Sequence, residues 1–291
     1  MQTDDEATAA TSHTLDVEGA VLHYDVQDSG GGAGPALFII GSPMDAQWFG
    51  PLASRFSDRT VITYDPRGAA RSTRSDPAPE STPEQHGEDL HLVIEAVGAG
   101  PVDVFASSGG AVNALALLTA HPEDVVTVVA HEPPLTGVLP DRQAARAAVD
   151  AIRSSYAAEG FGPAMARFIA LTAWEGELPD EPGPAPDPQA FGLPVEDDGH
   201  REDVLLSQNL VTCTSYEPDL DALRAVPARL VIGVGAESEG QLAHRAGRAI
   251  AALLGVEPVA FPGGHAAFLD ASMEGDPDAF ATALRAVLSG S

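Results

Sequence analysis

Short, mostly apolar runs recur along this chain, each closed by a turn and several followed by a helix-forming stretch. They are Ala36–Ile40, Val61–Tyr64, Val102–Phe105, Val125–Ala130, Arg229–Val234 and Pro258–Phe261. A strand with one wet face alternates apolar and polar residues, whereas an unbroken run requires cover on both faces. Between two of the runs, Pro83–Val97 reads as a helix: Thr82 can cap it, Pro83 suits its first turn and Gln85 completes a capping box. Strand and helix in alternation imply an α/β fold with a mostly parallel central sheet and helices on both faces. Thr14–Val17 and Val21–Val26, joined at Glu18-Gly19, read as a hairpin ahead of it.

The interval between Ala130 and Arg229 breaks this rhythm. It carries helical patterns at Arg142–Ala157 and Gly162–Trp174, then the Pro- and acid-rich stretch Leu178–Pro194. A structureless loop of that length is improbable inside a compact domain, so an inserted helical lid is expected. The expected organisation is a flexible tail over residues 1–13, a core formed by 14–134 and 222–291, and a lid (cap) over 135–221. A chain of 291 residues, 44% of them hydrophobic, can bury one large core.

Charge narrows the partners. The formal net charge is −28, and every one of the 15 basic residues is Arg. Such a surface repels nucleic acid and anionic membranes, so neither is expected. No apolar run is long enough to cross a bilayer. Cys213 is the single cysteine, which rules out an intrachain disulfide. The acidic start, Met1-Gln2-Thr3-Asp4-Asp5-Glu6, lacks the pattern of a signal peptide, and a cytoplasmic location is expected.

Chemistry concentrates at Ala106-Ser107-Ser108-Gly109-Gly110, between an expected buried strand and the helix former Ala111–Leu117. This matches the nucleophile elbow G-x-S-x-G with Ala106 at the first small position. The turn is so tight that residues two before and two after the nucleophile must be small. Ser107 as nucleophile would put Phe105 in that crowded place, so Ser108 is the candidate. The helix that follows aims its first amides at developing negative charge, making the Gly109 N–H an expected oxyanion donor. His265, in Gly263-Gly264-His265 after the last strand, is the candidate base. His13, His86, His91, His121, His200 and His244 stand in polar or helical contexts and are expected at the surface.

Tyr64-Asp65-Pro66-Arg67-Gly68-Ala69-Ala70-Arg71-Ser72 resembles the Asp-x-Arg-Gly-x-Gly-x-Ser loop of the α/β-hydrolase superfamily, with Ala70 at the second Gly. Gly263-Gly264-His265 resembles that family's Gly-x-His. The resemblance covers about residues 14–132 and 222–288. It implies a second oxyanion donor in Gly41-Ser42-Pro43-Met44-Asp45, where Ser42 holds the donor position and Ile40 replaces a frequent His. It also implies an acid to orient His265. The usual place is Gly235-Ala236-Glu237-Ser238-Glu239, but the position most often held by Asp carries Ser238, and a neutral hydroxyl cannot stabilise an imidazolium as a carboxylate does. Glu132 in His131-Glu132-Pro133-Pro134 is the favoured acid, with Glu237 the alternative. One subgroup of haloalkane dehalogenases and the zearalenone-type lactonases place their acid after this strand, and the resemblance to the lactonases extends to Ser-Ser-Gly and His-Glu-x-Pro.

The resemblance and the motifs together imply acyl transfer to Ser108 followed by attack of water, with no metal or organic cofactor. Ser at the elbow argues against epoxide hydrolase or dehalogenase chemistry, which in this fold uses Asp. Met44, Trp48, Phe168 and Trp174 are candidate pocket residues, although the spacing on the lid equally suits a lid core. Inward-facing, they would favour a small apolar ester, lactone or thioester. Alternatives are a thioesterase, a cofactor-free perhydrolase with the same triad, and a non-hydrolytic ligand-binding or biosynthetic protein on this scaffold.

Overall fold

In the computed structural model, which describes residues 10–30, 32 and 34–290, the apolar runs lie side by side in one nine-stranded sheet. The strands are β1 (Thr11–Val17), β2 (Ala20–Gln27), β3 (Leu37–Ile40), β4 (Val61–Asp65), β5 (Thr73–Arg74), β6 (Val102–Ser107), β7 (Val125–His131), β8 (Arg229–Gly235) and β9 (Val259–Phe261). Their order is β1-β2-β4-β3-β6-β7-β8-β9, with the short β5 beside β2. From β4 to β9 every pairing is parallel, and β1, β2 and β5 add an antiparallel edge. β1 begins at Thr11, so Thr11–His13, expected in a tail, pair with β2. Residues 1–9 of the expected tail lie outside the described residues.

The helices are α1 (Gly50–Ala53), α2 (Pro83–Val97), α3 (Gly109–Ala120), α4 (Arg142–Glu159), α5 (Phe161–Ala173), α6 (Leu210–Ser215), α7 (Leu220–Ala225), α8 (Leu242–Leu254) and α9 (Pro277–Leu288). Period-two alternation divides each central strand between two cores. On one face Phe38, Ile40, Val104, Ala106, Val128 and Ala130 pack against Leu90 and Val93 of α2, Leu115 of α3 and Ile250 of α8. On the other, Leu37, Ile39, Phe105, Val129 and Phe261 meet Leu52 of α1 and Phe280 and Leu284 of α9. Both faces are dry, and this is why the runs are unbroken in sequence. The α2 entry follows its local signals: Thr82 Oγ1 accepts from the Gln85 N–H at 3.2 Å, and Pro83 sits in the first turn.

Between β7 and β8, helices α4 and α5 pack with a π-helical turn at Leu205–Asn209 and with α6 around Val149, Ile152, Tyr156, Leu206 and Leu210. This small core is separate from the two that flank the sheet.

Candidate active site

A parallel sheet brings the carboxyl ends of neighbouring strands to one edge, and loops leaving them share a crevice. In the β6–β7 register, Ser107 pairs with His131. The next residue on each strand is therefore Ser108 on one side and Glu132 on the other. Both leave the sheet in strained backbone, Ser108 at φ +55° and Glu132 at φ +50°. A non-glycine residue in this region costs about 1–3 kcal/mol and persists only where the surroundings hold it. The Ser108 N–H donates to the His131 carbonyl at 2.9 Å and the Glu132 N–H to the Gly233 carbonyl at 2.9 Å.

Space at the elbow dictates its residues. A Cβ at Gly109 would stand 2.6 Å from the Ser42 carbonyl oxygen, and one at Gly110 2.7 Å from that of Ile40. The loop after β3 thus passes directly over the start of α3, bringing the Ser42 backbone against the Gly109 end of the helix. The first amides of a helix have no intrahelical acceptor and carry its positive pole. The Ser108 hydroxyl does not cap α3 and is partly exposed, whereas Ser107 is buried with Oγ 3.4 Å from His131 Nδ1.

Glu132 is fully buried, yet every facing partner favours its charge. One carboxylate oxygen lies 2.5 Å from His265 Nδ1. The other accepts from the Gly235 N–H at 2.8 Å and from the Ser238 hydroxyl. Burial alone would raise the pKa. The His265 hydrogen bond, the neighbouring imidazoles and the Ser238 donor outweigh it and bring the carboxyl down to about 2. His265 stays about one-third exposed, with its Nδ1 committed to Glu132.

Ser238, at the position that most often carries an aspartate in the resembling family, donates to Glu132. Glu237 is exposed, and only its backbone is engaged, its N–H donating to the Gly263 carbonyl at 3.0 Å. Gly235 is required here: a Cβ would lie 2.7 Å from Ser238 Oγ and 2.9 Å from the Gly263 carbonyl.

The model of the alpha/beta hydrolase fold family matches residues 30–205. The chain is an α/β hydrolase. It is 28% identical over 274 residues to the uncharacterized hydrolase YraK of Bacillus subtilis, covering 88% of this chain and 89% of that protein. Among solved structures it superposes on the enol-lactonase of Burkholderia xenovorans (TM-score 0.65, 16% identity, 95% of this chain and all of the other). It also superposes on the proline iminopeptidase of Mycobacterium smegmatis (0.63, 19%, 96% and 98%). A thermophilic esterase of Thermogutta terrifontis is similar too (0.62, 17%, 97% and 98%). At these identities the structural likeness establishes the fold.

The hydrolase's Asp-Pro-Arg-Gly segment is a brace. Arg67 holds buried Asp89 with two hydrogen bonds of 2.7 and 2.6 Å. Asp65 accepts from the Arg71 side chain and from the Ala46 N–H at 3.1 Å, tying the segment to the loop after β3. A second tie escaped the sequence. Asn209, in the π-helical turn, donates to Ser42 Oγ at 3.3 Å and accepts from Ser81, which lies 3.0 Å from His86 Nε2. His86 and His244 are buried, contrary to the surface expected for them. His244 Nδ1 lies 3.0 Å from the Gly235 carbonyl and 3.5 Å from Glu132. Helical polarity patterns disguised both, because each faces a buried polar network in place of an apolar core.

The candidate pocket residues divide. Met44 is partly buried against the cluster beside α1, and Trp48 is exposed. Phe168 packs on the Val149–Leu210 cluster. Trp174 is exposed and, with Leu171, Leu178 and Pro182, lines a cavity of about 320 Å³ that none of Ser108, Glu132 and His265 enters.

Proposed function

We propose that this hydrolase cleaves a carboxylic ester or lactone through an acyl-enzyme on Ser108. The observation that carries the reading is the buried Glu132 carboxylate on His265 Nδ1, set beside a serine held in strained elbow backbone. With its Nδ1–H given to Glu132, His265 presents Nε2 as a base and takes the Ser108 proton as Oγ attacks the carbonyl. The Gly109 and Ser42 amides receive the oxyanion. His265 then protonates the leaving alkoxide, and water activated by the same imidazole releases the acid. None of these steps calls on a cofactor. The ester reading follows the enol-lactonase and the esterase among the structural neighbours, which also include an iminopeptidase, and the chain's acidity disfavours an anionic substrate.

A fluorophosphonate probe tests the nucleophile. Labelling is expected on the folded wild type and absent in Ser108→Ala; unlabelled folded wild type sinks the reading. A panel of p-nitrophenyl esters, lactones and acyl thioesters, with Ser108→Ala as the blank, then ranks the substrates. Preference for thioesters would overturn the substrate class while leaving the nucleophile in place.

A further inference from the structure

At the amino ends of the strands, the opposite end from Ser108, two histidines lie face to face. His91 comes from α2, and His121 closes α3, which at 1.5 Å per residue carries it ~18 Å from the elbow. Their ring centroids are 3.8 Å apart and the planes differ by 5°. Carboxylates surround them. Asp124 lies 2.7 Å from His91 Nδ1, Glu95 3.6 Å from His91 Nε2, Glu88 3.0 Å from His121 Nε2 and Glu123 3.9 Å from His121 Nδ1. Among the described residues, no arginine pairs with any of the four acids.

We propose that Glu88, His91 and His121 form a binding site for a divalent transition-metal ion of the zinc type. Each offers one donor atom, and the three atoms lie within 4.8 Å of one another. Tetrahedral zinc with bonds near 2.0–2.1 Å needs donors ~3.3 Å apart, so the three atoms must draw closer together on binding. The donor types, two imidazoles and a carboxylate, suit zinc and exclude neither nickel nor copper, while calcium and magnesium prefer oxygen alone. Asp124 on His91 Nδ1 is the outer carboxylate that such a site uses, since it fixes the tautomer and leaves Nε2 for the metal. Glu95 stands beside that nitrogen and can complete the shell. Binding requires the rings to tilt out of parallel until both in-plane lone pairs meet the ion.

The ion would pin α2 to the α3–β7 turn, away from the crevice. Its effect belongs to stability and not to turnover.

The test is calorimetric titration of the intact chain with zinc chloride at pH 7.5, alongside thermal melts. Expected are one ion per chain and a Tm raised by roughly 2 °C at ten times Kd. His121→Asn should abolish this binding, and Asp124→Asn should weaken it about tenfold by loosening His91. Fluorophosphonate labelling of Ser108 should be unchanged in both, which separates this proposal from the one about catalysis. No heat with zinc at about a hundred micromolar would overturn the site. So would binding that both His91→Asn and His121→Asn leave intact, because the ion would then lie elsewhere.

Discussion

The loops leaving β7 and β8 compete for the same task and are built in opposite ways. The β8 loop has two acids, Glu237 and Glu239, and both are exposed. The β7 loop has one, Glu132, fully buried and held by His265, Gly235 and Ser238. The β8 loop supplies the donors, and β7 supplies the charge. A carboxylate orients an imidazole only where water is excluded and its own charge is solvated by fixed donors. Sequence distance from the expected position matters less than that.

The largest expected effect comes from breaking the β7 side. Glu132→Gln preserves shape while removing the charge, and kcat should fall by ~10³–10⁴-fold with the far-ultraviolet spectrum unchanged. Activity within tenfold of wild type would take Glu132 out of the triad. Moving the charge sharpens the comparison: Glu132→Gln combined with Ser238→Asp should regain roughly ten- to a hundredfold over Glu132→Gln alone, read as kcat/KM on the best ester. If the double variant is no better, the β8 position cannot reach His265.

Ser238→Ala removes one donor to Glu132 and should lower kcat/KM about tenfold, corresponding to ~1.4 kcal/mol. Protonation probes the β7 end by another route. Burial among Phe105, Phe261, Phe268 and Phe280 lowers the pKa of His131 to about 4, and burial does the same to His86. Between the unfolded value near 6.5 and the folded value near 4, the unfolded chain binds the extra proton. Stability therefore falls with acidification by roughly 1.4 kcal/mol per pH unit for each histidine. The carboxylate acts lower: the stability from ionised Glu132 is complete above its unfolded value near 4.5 and is lost as pH falls toward about 2. Urea melts from pH 7 to pH 4 should show the histidine slope, and His131→Phe should flatten part of it. A pH-independent midpoint would contradict the buried neutral histidines. The smallest effect is reserved for Glu237→Gln, expected within about twofold of wild type in kcat/KM; a loss above tenfold would return the acid role to the β8 loop.

The sheet was legible because strands covered on both faces leave unbroken apolar runs, and α2 because its cap and first-turn proline act locally. The elbow could be read as well, since steric crowding acts between residues two apart in the chain. Neither buried His86 nor buried His244 was legible, because their partners Ser81, Asn209, Gly235 and Glu132 converge from separate elements. The same limit applied to the pocket, where Phe168 turns to the small core of α4 and α5 and Trp174 to a cavity of its own.

For the two acid loops, the sequence by itself determined that the β8 position lacked an aspartate and that a glutamate followed β7. Tertiary structure alone decided which carboxylate is buried beside His265. That choice depends on the β6–β7–β8 register and on donors from Gly235 and Ser238, more than a hundred residues along the chain from Glu132. Local sequence sets which side chains are available; desolvation and convergent hydrogen bonds, which exist only after folding, set which of them faces the imidazole.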